Sequence, residues 1–317
     1  MSLPIEWYIS RGLFPPSPLV WGGQDRSSEF PSYKNACRAH CLDHCGICDT
    51  DNTTNDSLDN SENEDDGFTN KHVTEKANHN NFRDASLAVD FEDLLYPRRR
   101  RGTGRVFPTR FIPPTYSILP TNLFCGTRTF GNLTRYIHRH NPRTVLIITD
   151  GACLNNGQPN PMAGWAFVHG PGLTNDPAIV SGRLESKGPF GDDAAQTSNR
   201  AELRAVIAAL RFRHWPGEGF NTMTIATDSE YVVEGSTLWA KSWVMSNWKT
   251  RRGADVKNRD MWEVLLGEFE RCKDAGLSIN FWRIPREWNQ VADAAAKKAA
   301  SEVTQCNEWM EVMGTCI

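Results

Sequence analysis

Two runs of apolar and β-branched residues each end on an aspartate, and this repeated pattern constrains the fold more than any other feature. The first run is TVLIITD, which ends at Asp150, and the second is MTIATD, which ends at Asp228. Short continuous apolar runs of this kind are typical of strands buried on both faces of a sheet. A carboxylate at the end of a buried strand is costly unless something compensates its charge. The two acids therefore need partners.

The segments around these runs predict an α/β domain that covers residues 143–303. Three more strands are predicted at GWAFVHG, AIVSGRLES and LSINFWRI. Helices are predicted at SNRAELRAVIAALRFRH, SEYVVEGSTLW, MWEVLLGEFERCKDAG and NQVADAAAKKAAS. Ser198 or Asn199 is expected to cap the first helix, and Gly276 to end the third. The order of elements predicts one mixed five-stranded sheet flanked by helices.

The rest of the sequence differs from this domain in composition. Residues 1–130 are rich in Pro, Asn, Asp and Ser and lack apolar periodicity over most of their length, so they are interpreted as a largely disordered extension. An acidic block occupies residues 49–66, and a basic run of four arginines occupies residues 98–101. The segment SLAVDFEDLLY at 86–96 is interpreted as an amphipathic helix or docking motif. Residues 304–317 are interpreted as a C-terminal tail.

Cysteine usage and hydropathy indicate an intracellular protein of the nucleus or cytoplasm. The 317 residues include nine cysteines, and the N-terminus lacks the pattern of a secretory signal. No run is long enough to cross a membrane, so no membrane partner is expected. Cys37, Cys41, Cys45 and Cys48 lie close together, but their spacing matches no standard zinc motif, and reduced thiols are favoured over Zn²⁺.

Four acids of the predicted domain occupy matching places near one end of the sheet. Asp150 and Asp228 end parallel strands, whose carboxyl ends are where ligands bind in α/β sheets. Glu202 and Asp293 each lie in the first turn of a predicted helix. A single acid in such a place is usually a cap or turn residue. Four in one cleft would repel one another unless divalent cations such as Mg²⁺ lie between them.

These segments resemble the type 1 ribonuclease H family. TDGAC carries the family's first acid, SNRAELRAVIAAL the second, TDSEYVVEGSTLW the third and NQVADAAAKKA the fourth, in the family's order and spacing over residues 143–303. The resemblance implies an endonuclease that cuts the RNA strand of RNA–DNA hybrids by a two-metal Mg²⁺ mechanism, with Mn²⁺ as an alternative ion. It implies 5′-phosphate and 3′-hydroxyl product ends. It also implies that Asp150, Glu202, Asp228 and Asp293 are the catalytic metal ligands.

The same resemblance carries over substrate-binding positions. Asn156 and Asn199 match residues that contact the RNA strand, where the 2′-hydroxyl is read. Thr197 and Asn258 match a pocket for a phosphate of the DNA strand. Tyr231 and Trp239 match a channel for DNA sugars, although core packing is an equally good explanation of these two rings. A hybrid bound by a monomer is the expected complex, and the sequence names no protein partner.

Six cations lie close together in sequence and resemble the basic handle of the family. They are interleaved with Trp243 and Trp248, and the alternative is a solvated helix face over core tryptophans. The cations are Lys241, Lys249, Arg251, Arg252, Lys257 and Arg259. The arginines at 98–101 have three alternative interpretations: a nuclear import signal or nucleic-acid contact, a solvated linker, or a cis partner of the acidic block.

The chain departs from the family pattern in two places. The family often has a histidine in the loop before the last helix, but this loop reads FWRIPREWNQVAD, and no histidine follows His214. Arg283 or Arg286 is a candidate for contact with a phosphate there, against the alternative of a surface arginine. The extension also lacks the aromatic-rich hybrid-binding module of some eukaryotic members. The competing function is a noncatalytic or weakly active RNA- or hybrid-binding protein of the same fold, which the four retained acids argue against.

Overall fold

A computed structural model describes residues 100–129, 133–172 and 176–314 of the chain. The cysteine cluster, the acidic block, the segment at 86–96 and the first two arginines of the basic run lie outside the described residues. Within the described ranges, no helix combines the length and apolar character needed to cross a membrane.

One mixed sheet organises the described part of the chain, and it contains eight strands. Strand β4 (Asn141–Leu154) lies at its centre and pairs in parallel with β7 (Thr222–Thr227) on one side. On its other side β4 pairs antiparallel with β3 (Thr134–His138) and then with β5 (Met162–Pro171). The sheet is completed by β1 (Thr109–Arg110), β2 (Phe124–Arg128), β6 (Pro177–Arg183) and β8 (Ser278–Arg283).

Helices pack on both faces of this sheet. They are α1 (Pro120–Leu123), α2 (Ser198–Arg211), α3 (Glu230–Glu234), α4 (Ala240–Met245), α5 (Arg259–Asp274) and α6 (Gln290–Ala300). A π-helical turn at Gly235–Trp239 joins α3 to α4, and π turns are frequent at functional sites. The predicted caps of α2 are wrong, because the Thr197 side chain accepts the hydrogen bond from the Arg200 backbone. Gly276 does follow α5, with a positive φ of 83°.

The predicted mixed α/β sheet is confirmed, but it contains eight strands rather than the five predicted. The five predicted strands correspond to β4–β8, and three further strands come from residues 109–138, most of which had been assigned to the disordered extension. Phe111, Leu123 and Phe124 of this segment pack with Trp282 over one face of the sheet. The buried apolar residues of this segment are few and lie on short strands. They therefore give no regular apolar periodicity, and the sequence pattern did not predict these strands.

The continuous apolar run of β4 is explained by burial on both faces. Val145 and Ile147 join the main core beneath α2 and α5, whereas Leu146 and Ile148 join the opposite cluster. The high alanine content of α6 is also explained by close packing on the sheet. A Cβ on Gly164 of β5 would lie 2.6 Å from the Ala296 carbonyl oxygen, so α6 lies directly on the sheet and larger side chains would not fit.

Residues 100–110, which we call the clasp, lie against α5. Arg101 pairs with Glu263, and Arg100 and Arg105 pair with Asp274. Glu270 is buried and accepts hydrogen bonds from the clasp backbone. Arg100 and Arg101 are therefore not a solvated linker, because acids of the folded domain hold them.

Residues 302–314, which we call the latch, complete the other side of the domain. The Arg204 guanidinium lies between the rings of Trp165 and Trp309, 4.8 Å and 4.2 Å from their centroids. Glu185 accepts hydrogen bonds from this guanidinium, and the Met310 carbonyl accepts another at 2.7 Å. Because Arg204 and Glu185 are almost fully buried, the latch contributes to satisfying a buried ion pair.

Candidate active site

Three carboxylates meet at the carboxyl ends of the central parallel strands. Asp150 lies in β4, Asp228 directly follows β7, and Glu202 lies in the first half of α2. One oxygen from each lies within 4.8 Å of the others, which is close enough for a shared metal ion. This convergence of three predicted ligands is the strongest chemical feature of the described residues.

Strand register and a close backbone contact explain why these acids meet. Ile148 pairs with Ala226 in the parallel ladder, so Asp150 and Asp228 both lie two residues beyond this pair. Gly151 brings the third acid near, because a Cβ on Gly151 would lie only 2.6 Å from the Cα of Glu202. A glycine is needed at this point for α2 to approach β4. The sequence TDG thus serves the geometry of the cluster as well as its charge.

Asn289 links two of the acids and was missed by the sequence analysis. Its side-chain amide donates to Asp150 at 3.1 Å and to Asp228 at 2.7 Å, and also lies 3.1 Å from the Thr149 carbonyl oxygen. The residue is 1% exposed. The available signal was PREWN, in which this asparagine lies four residues before Asp293. A buried amide at this place fixes the relative positions of Asp150 and Asp228.

The cluster carries uncompensated negative charge. Burial, together with the charge of Asp228 and a hydrogen bond to it, raises the pKa of Asp150 from 3.8 to about 8. Burial and the charges of Asp150 and Asp228 raise the pKa of Glu202 well above its usual range. One Glu202 carboxylate oxygen is buried and has no hydrogen-bond partner among the described residues. A buried carboxylate oxygen without a donor is the kind of ligand expected for a hard divalent cation.

Asp293 lies beside the cluster rather than within it. It is in the first turn of α6, and its oxygens face Lys297 at 2.7 Å and Arg286 at 3.4 Å. Its charge contributes to raising the pKa of Asp150. Asp293 also lines the same cavity of about 320 Å³ as the three clustered acids. The fourth predicted ligand is therefore near the site, with two cations already facing it.

Arg286 is one of two cations, with Lys297, that line the cavity of the acids. Its positive charge lowers the pKa values of Asp150 and Glu202, which opposes the increase caused by burial and by the neighbouring acids. It also lines a neighbouring cavity of about 490 Å³ together with Asp228 and Arg283. Arg283 itself is paired with Glu230 at 2.8 Å.

Three of the four expected phosphate-pocket and sugar-channel residues, Asn258, Tyr231 and Trp239, form one connected group. The hydroxyl oxygen of Tyr231 accepts hydrogen bonds from Trp262 at 2.9 Å and Asn258 at 3.4 Å. Trp239 is 37% exposed, and its ring centroid lies 6.4 Å from that of Tyr231. Thr197 caps α2 as described above. Tyr231 is thus partly a packing residue, while Trp239 offers an open aromatic face.

The two asparagines assigned to the RNA strand are both exposed, and Asn156 lies beside the acids. Asn156 is exposed, donates to the Ser198 hydroxyl at 3.3 Å and lines the cavity of the acids. Asn199 is exposed in the first turn of α2. Both side chains are therefore accessible to a ligand that reaches the carboxylates.

The handle, residues 241–259, carries exposed cations around a partly buried aromatic centre. Lys249 pairs with Asp255 and Arg259 with Glu263. Lys241, Arg251, Arg252 and Lys257 are exposed. Trp248 is buried, and Trp243 packs 5.4 Å from the Trp262 ring. This arrangement fits the alternative of surface cations over packed tryptophans, and nucleic-acid binding by the handle stays a prediction.

This arrangement defines an α/β protein with a carboxylate cluster at the ends of its central strands, and comparisons with known proteins identify its family. Residues 142–301 match the sequence model of the family described as RNase H. The ribonuclease H of Neorickettsia sennetsu is 36% identical over 161 residues, which cover 51% of this chain and 95% of that protein. The ribonuclease H of Treponema pallidum is 35% identical over 175 residues, which cover 51% and 96%.

Among solved structures, the chain is similar to LC9-RNase H1, a type 1 RNase H, at 26% identity over 53% of this chain and 77% of that one, with a TM-score of 0.36. The sequence matches show that the chain belongs to the RNase H family. Its carboxylate cluster is consistent with the divalent-metal site typical of that family.

Proposed function

We propose that this chain is a ribonuclease H that hydrolyses the RNA strand of RNA–DNA hybrids and leaves 5′-phosphate and 3′-hydroxyl ends. The observation that carries the proposal is the convergence of Asp150, Glu202 and Asp228 within 4.8 Å. The chain spans nearly the whole length of relatives named ribonuclease H, which supports the same activity here.

The donor set fits Mg²⁺, with Mn²⁺ as an alternative. All four candidate ligands are carboxylates, which these hard cations prefer, and a buried Glu202 oxygen is left without a donor. Asp150, Glu202 and Asp228 would hold the ions, with Asp293 as the more exposed fourth ligand. When bound, the ions supply an activated water nucleophile and stabilise charge on the attacking and leaving oxygens.

The protein's own groups position the acids and the substrate. Asn289 holds Asp150 and Asp228 at a fixed separation, so little reorganisation is needed at the moment of reaction. Asn156 and Asn199 lie where the RNA strand would present its 2′-hydroxyls to the cavity. Trp239 offers a flat face that suits deoxyribose better than ribose.

The DNA strand is proposed to be held through a phosphate and through the handle. Thr197 and Asn258 would contact the phosphate, which sets the register without reading sequence. The exposed cations of the handle supply the sequence-independent attraction to a polyanion.

Arg286 lies in the loop before the last helix, the loop in which the family often has a histidine. Its guanidinium lines the cavity of the acids and remains charged at all physiological pH values. It can therefore attract a phosphate oxygen, but it cannot exchange a proton as an imidazole can. We propose that Arg286 holds a phosphate of the RNA strand and that product leaves more slowly than it would with a histidine in this loop.

The experiment that tests the function uses a hybrid with labelled RNA, with Mg²⁺ and with EDTA. Cleavage of the RNA strand should require Mg²⁺ and should be lost in Asp228→Asn. The matched control is Asp255→Asn, which makes the same change at an exposed handle acid paired with Lys249. Cleavage that persists in Asp228→Asn or in EDTA would contradict the mechanism. Binding without cleavage by the wild type would instead favour a noncatalytic hybrid-binding protein.

A further inference from the structure

The clasp lies outside the stretch that matches the family, yet it reaches the same end of α5 as the proposed DNA-binding residues. The family match begins at residue 142, whereas the clasp covers residues 100–110. Arg101 is attached near the first turns of α5, where Asn258 precedes the helix and Arg259 begins it.

The clasp backbone on the C-terminal side of Arg101 is firmly held. One Glu270 carboxylate oxygen accepts hydrogen bonds from the Thr103 amide and hydroxyl, the Gly104 amide and the Arg105 amide at 2.7–3.3 Å. The Gly102 amide donates to the Glu263 carbonyl at 2.7 Å. Four donors on one buried carboxylate oxygen fix the direction in which the chain leaves Arg101.

The helix itself is shaped to receive the clasp. A Cβ on Gly267 would lie 2.6 Å from the Arg100 carbonyl oxygen, and a Cβ on Gly102 would lie 2.6 Å from the Cβ of Leu266. The two glycines therefore allow the clasp and helix backbones to touch on both sides of Arg101. Its side chain is presented by a rigid support, as a binding residue requires.

Arg101 and Arg259 share a single carboxylate. Both guanidinium groups pair with Glu263, which is 5% exposed, while the arginine side chains are 54% and 52% exposed. Arg101 also lies 3.7 Å above the Phe190 ring, and Arg259 lies 5.4 Å from the Trp248 ring centroid. Two cations and one anion leave one positive charge, and the aromatic contacts orient the planar groups that carry it.

Nearby acids do not remove this charge by pairing with it. Asp260, in the first turn of α5, is bound by Arg200 at 2.9 Å. Asp192 and Asp193 are exposed in the loop that carries Phe190, and Asp193 acts on Lys187. Asp255 interacts electrostatically with Arg259, but its direct partner is Lys249 at 2.6 Å. The half-exposed arginine pair thus lies at the edge of the handle and carries a net positive charge that can bind an anion.

We propose that Arg101 and Arg259 form a phosphate-binding pair that extends the hybrid-binding surface from the handle onto the clasp. The inference rests on the proposed function, because it takes an RNA–DNA hybrid as the ligand. Phosphate is the chemical class that fits, since guanidinium groups bind its oxygens in a planar, often bidentate geometry. The substrate footprint therefore includes a residue that lies outside the family's own sequence.

The test measures hybrid binding in the full chain carrying Asp228→Asn, so that the ligand remains uncut. Fluorescence anisotropy with a labelled RNA–DNA hybrid gives Kd at 50 mM and 200 mM salt. Kd should increase between the two salt concentrations in both proteins. Because Arg101→Gln loses one phosphate contact, its factor of increase should be roughly threefold to fourfold smaller than that of the parent. Arg101→Lys should keep most of the salt dependence.

Two further variants separate binding from support of the fold. Arg105→Gln removes a clasp arginine that pairs with Asp274 at the other end of α5, roughly 16 Å along the helix from Glu263, and should bind as the parent does. Glu263→Gln removes the shared anion and should tighten binding, whereas a purely structural ion pair predicts equal or weaker binding.

The outcomes also distinguish this inference from the function on which it rests. A parent protein that does not bind the hybrid would overturn both. A parent that binds, with unchanged salt dependence in Arg101→Gln, would overturn only the phosphate pair. If Arg101→Gln does not fold, Glu263→Gln decides, and equal or weaker binding by that variant counts against the pair.

Discussion

Gly151 lies so close to Glu202 that a Cβ on the glycine would stand 2.6 Å from the glutamate Cα. Strand β4 and helix α2 are therefore in direct backbone contact beside the acids. This contact, rather than any side-chain interaction, brings the Glu202 carboxylate to the ends of the strands. The spacing of the candidate metal ligands thus depends on the absence of a side chain at Gly151.

Gly151→Ala should abolish cleavage and lower the thermal unfolding midpoint, because the added methyl group forces α2 away from β4. Overpacking of this kind costs about 1–3 kcal/mol or more. Gly219→Ala is the control, since its Cβ meets nothing within 4 Å and its φ of 93° brings only local backbone strain. Differential scanning fluorimetry and the cleavage assay measure both effects. Full activity in Gly151→Ala would show that the contact is not needed.

Asp150→Asn should stabilise the metal-free protein at alkaline pH. Burial and the charge of Asp228 raise the pKa of Asp150 from its ordinary value of 3.8 to about 8 in the fold, so the folded state binds more protons between these values. The free energy of unfolding should then fall as pH rises through this window. In EDTA, the unfolding midpoint of the variant should exceed that of the wild type by a difference that grows from pH 4 to pH 8.

Addition of Mg²⁺ provides the second half of this experiment. At pH 8 it should raise the midpoint of the wild type, because a ligand that binds only the folded state stabilises it. It should raise that of Asp150→Asn much less. Equal shifts in the two proteins would place the ion elsewhere.

Asn289→Asp should raise the Mg²⁺ concentration needed for half-maximal cleavage. The substitution replaces the amide that donates to Asp150 and Asp228 with another acid, so the relative positions of both ligands are lost. Gln290→Glu, which makes the same charge change at the exposed next residue, should have little effect. Titration of Mg²⁺ against initial rate separates the two, and identical curves would remove Asn289 from the site.

Trp309→Ala should destabilise the domain by about 3–5 kcal/mol, the usual range for a buried tryptophan. The ring covers Arg204, and its loss would expose part of a buried ion pair. Val303→Ala is the matched control in the same latch, because Val303 is 97% exposed. Urea denaturation gives the free energies, and similar values for the two variants would mean that the latch is not needed for stability.

A longer loop that carries a histidine in place of residues 285–288 should raise kcat with little change in KM. The imidazole can exchange protons near neutral pH, which the Arg286 guanidinium cannot. Steady-state kinetics on one hybrid compare the chimera with the wild type. An unchanged kcat would indicate that loss of product does not limit the reaction.

The central part of the fold was predictable because its signals are local. Continuous apolar runs indicated β4 and β7, and the repeated terminal aspartates indicated where their ends would meet. Asn289 was not predictable in the same way, since its role depends on a buried amide that reaches two strands distant in sequence. The clasp was missed because four arginines in succession resemble a solvated run until acids at Glu263 and Asp274 are placed beside them.

The clasp and the latch also decide where this domain can be joined to another protein. An exchange restricted to residues 142–301 would carry Glu270 into the new host without the clasp donors that satisfy it. It would carry Arg204 with Glu185, but without the Met310 carbonyl and the Trp309 ring that complete its surroundings. Glu270 would then be a buried charge without these partners, which commonly costs several kcal/mol. Chimeras that keep their cooperativity should therefore have junctions before residue 100 and after residue 314, well outside the stretch shared with the bacterial enzymes.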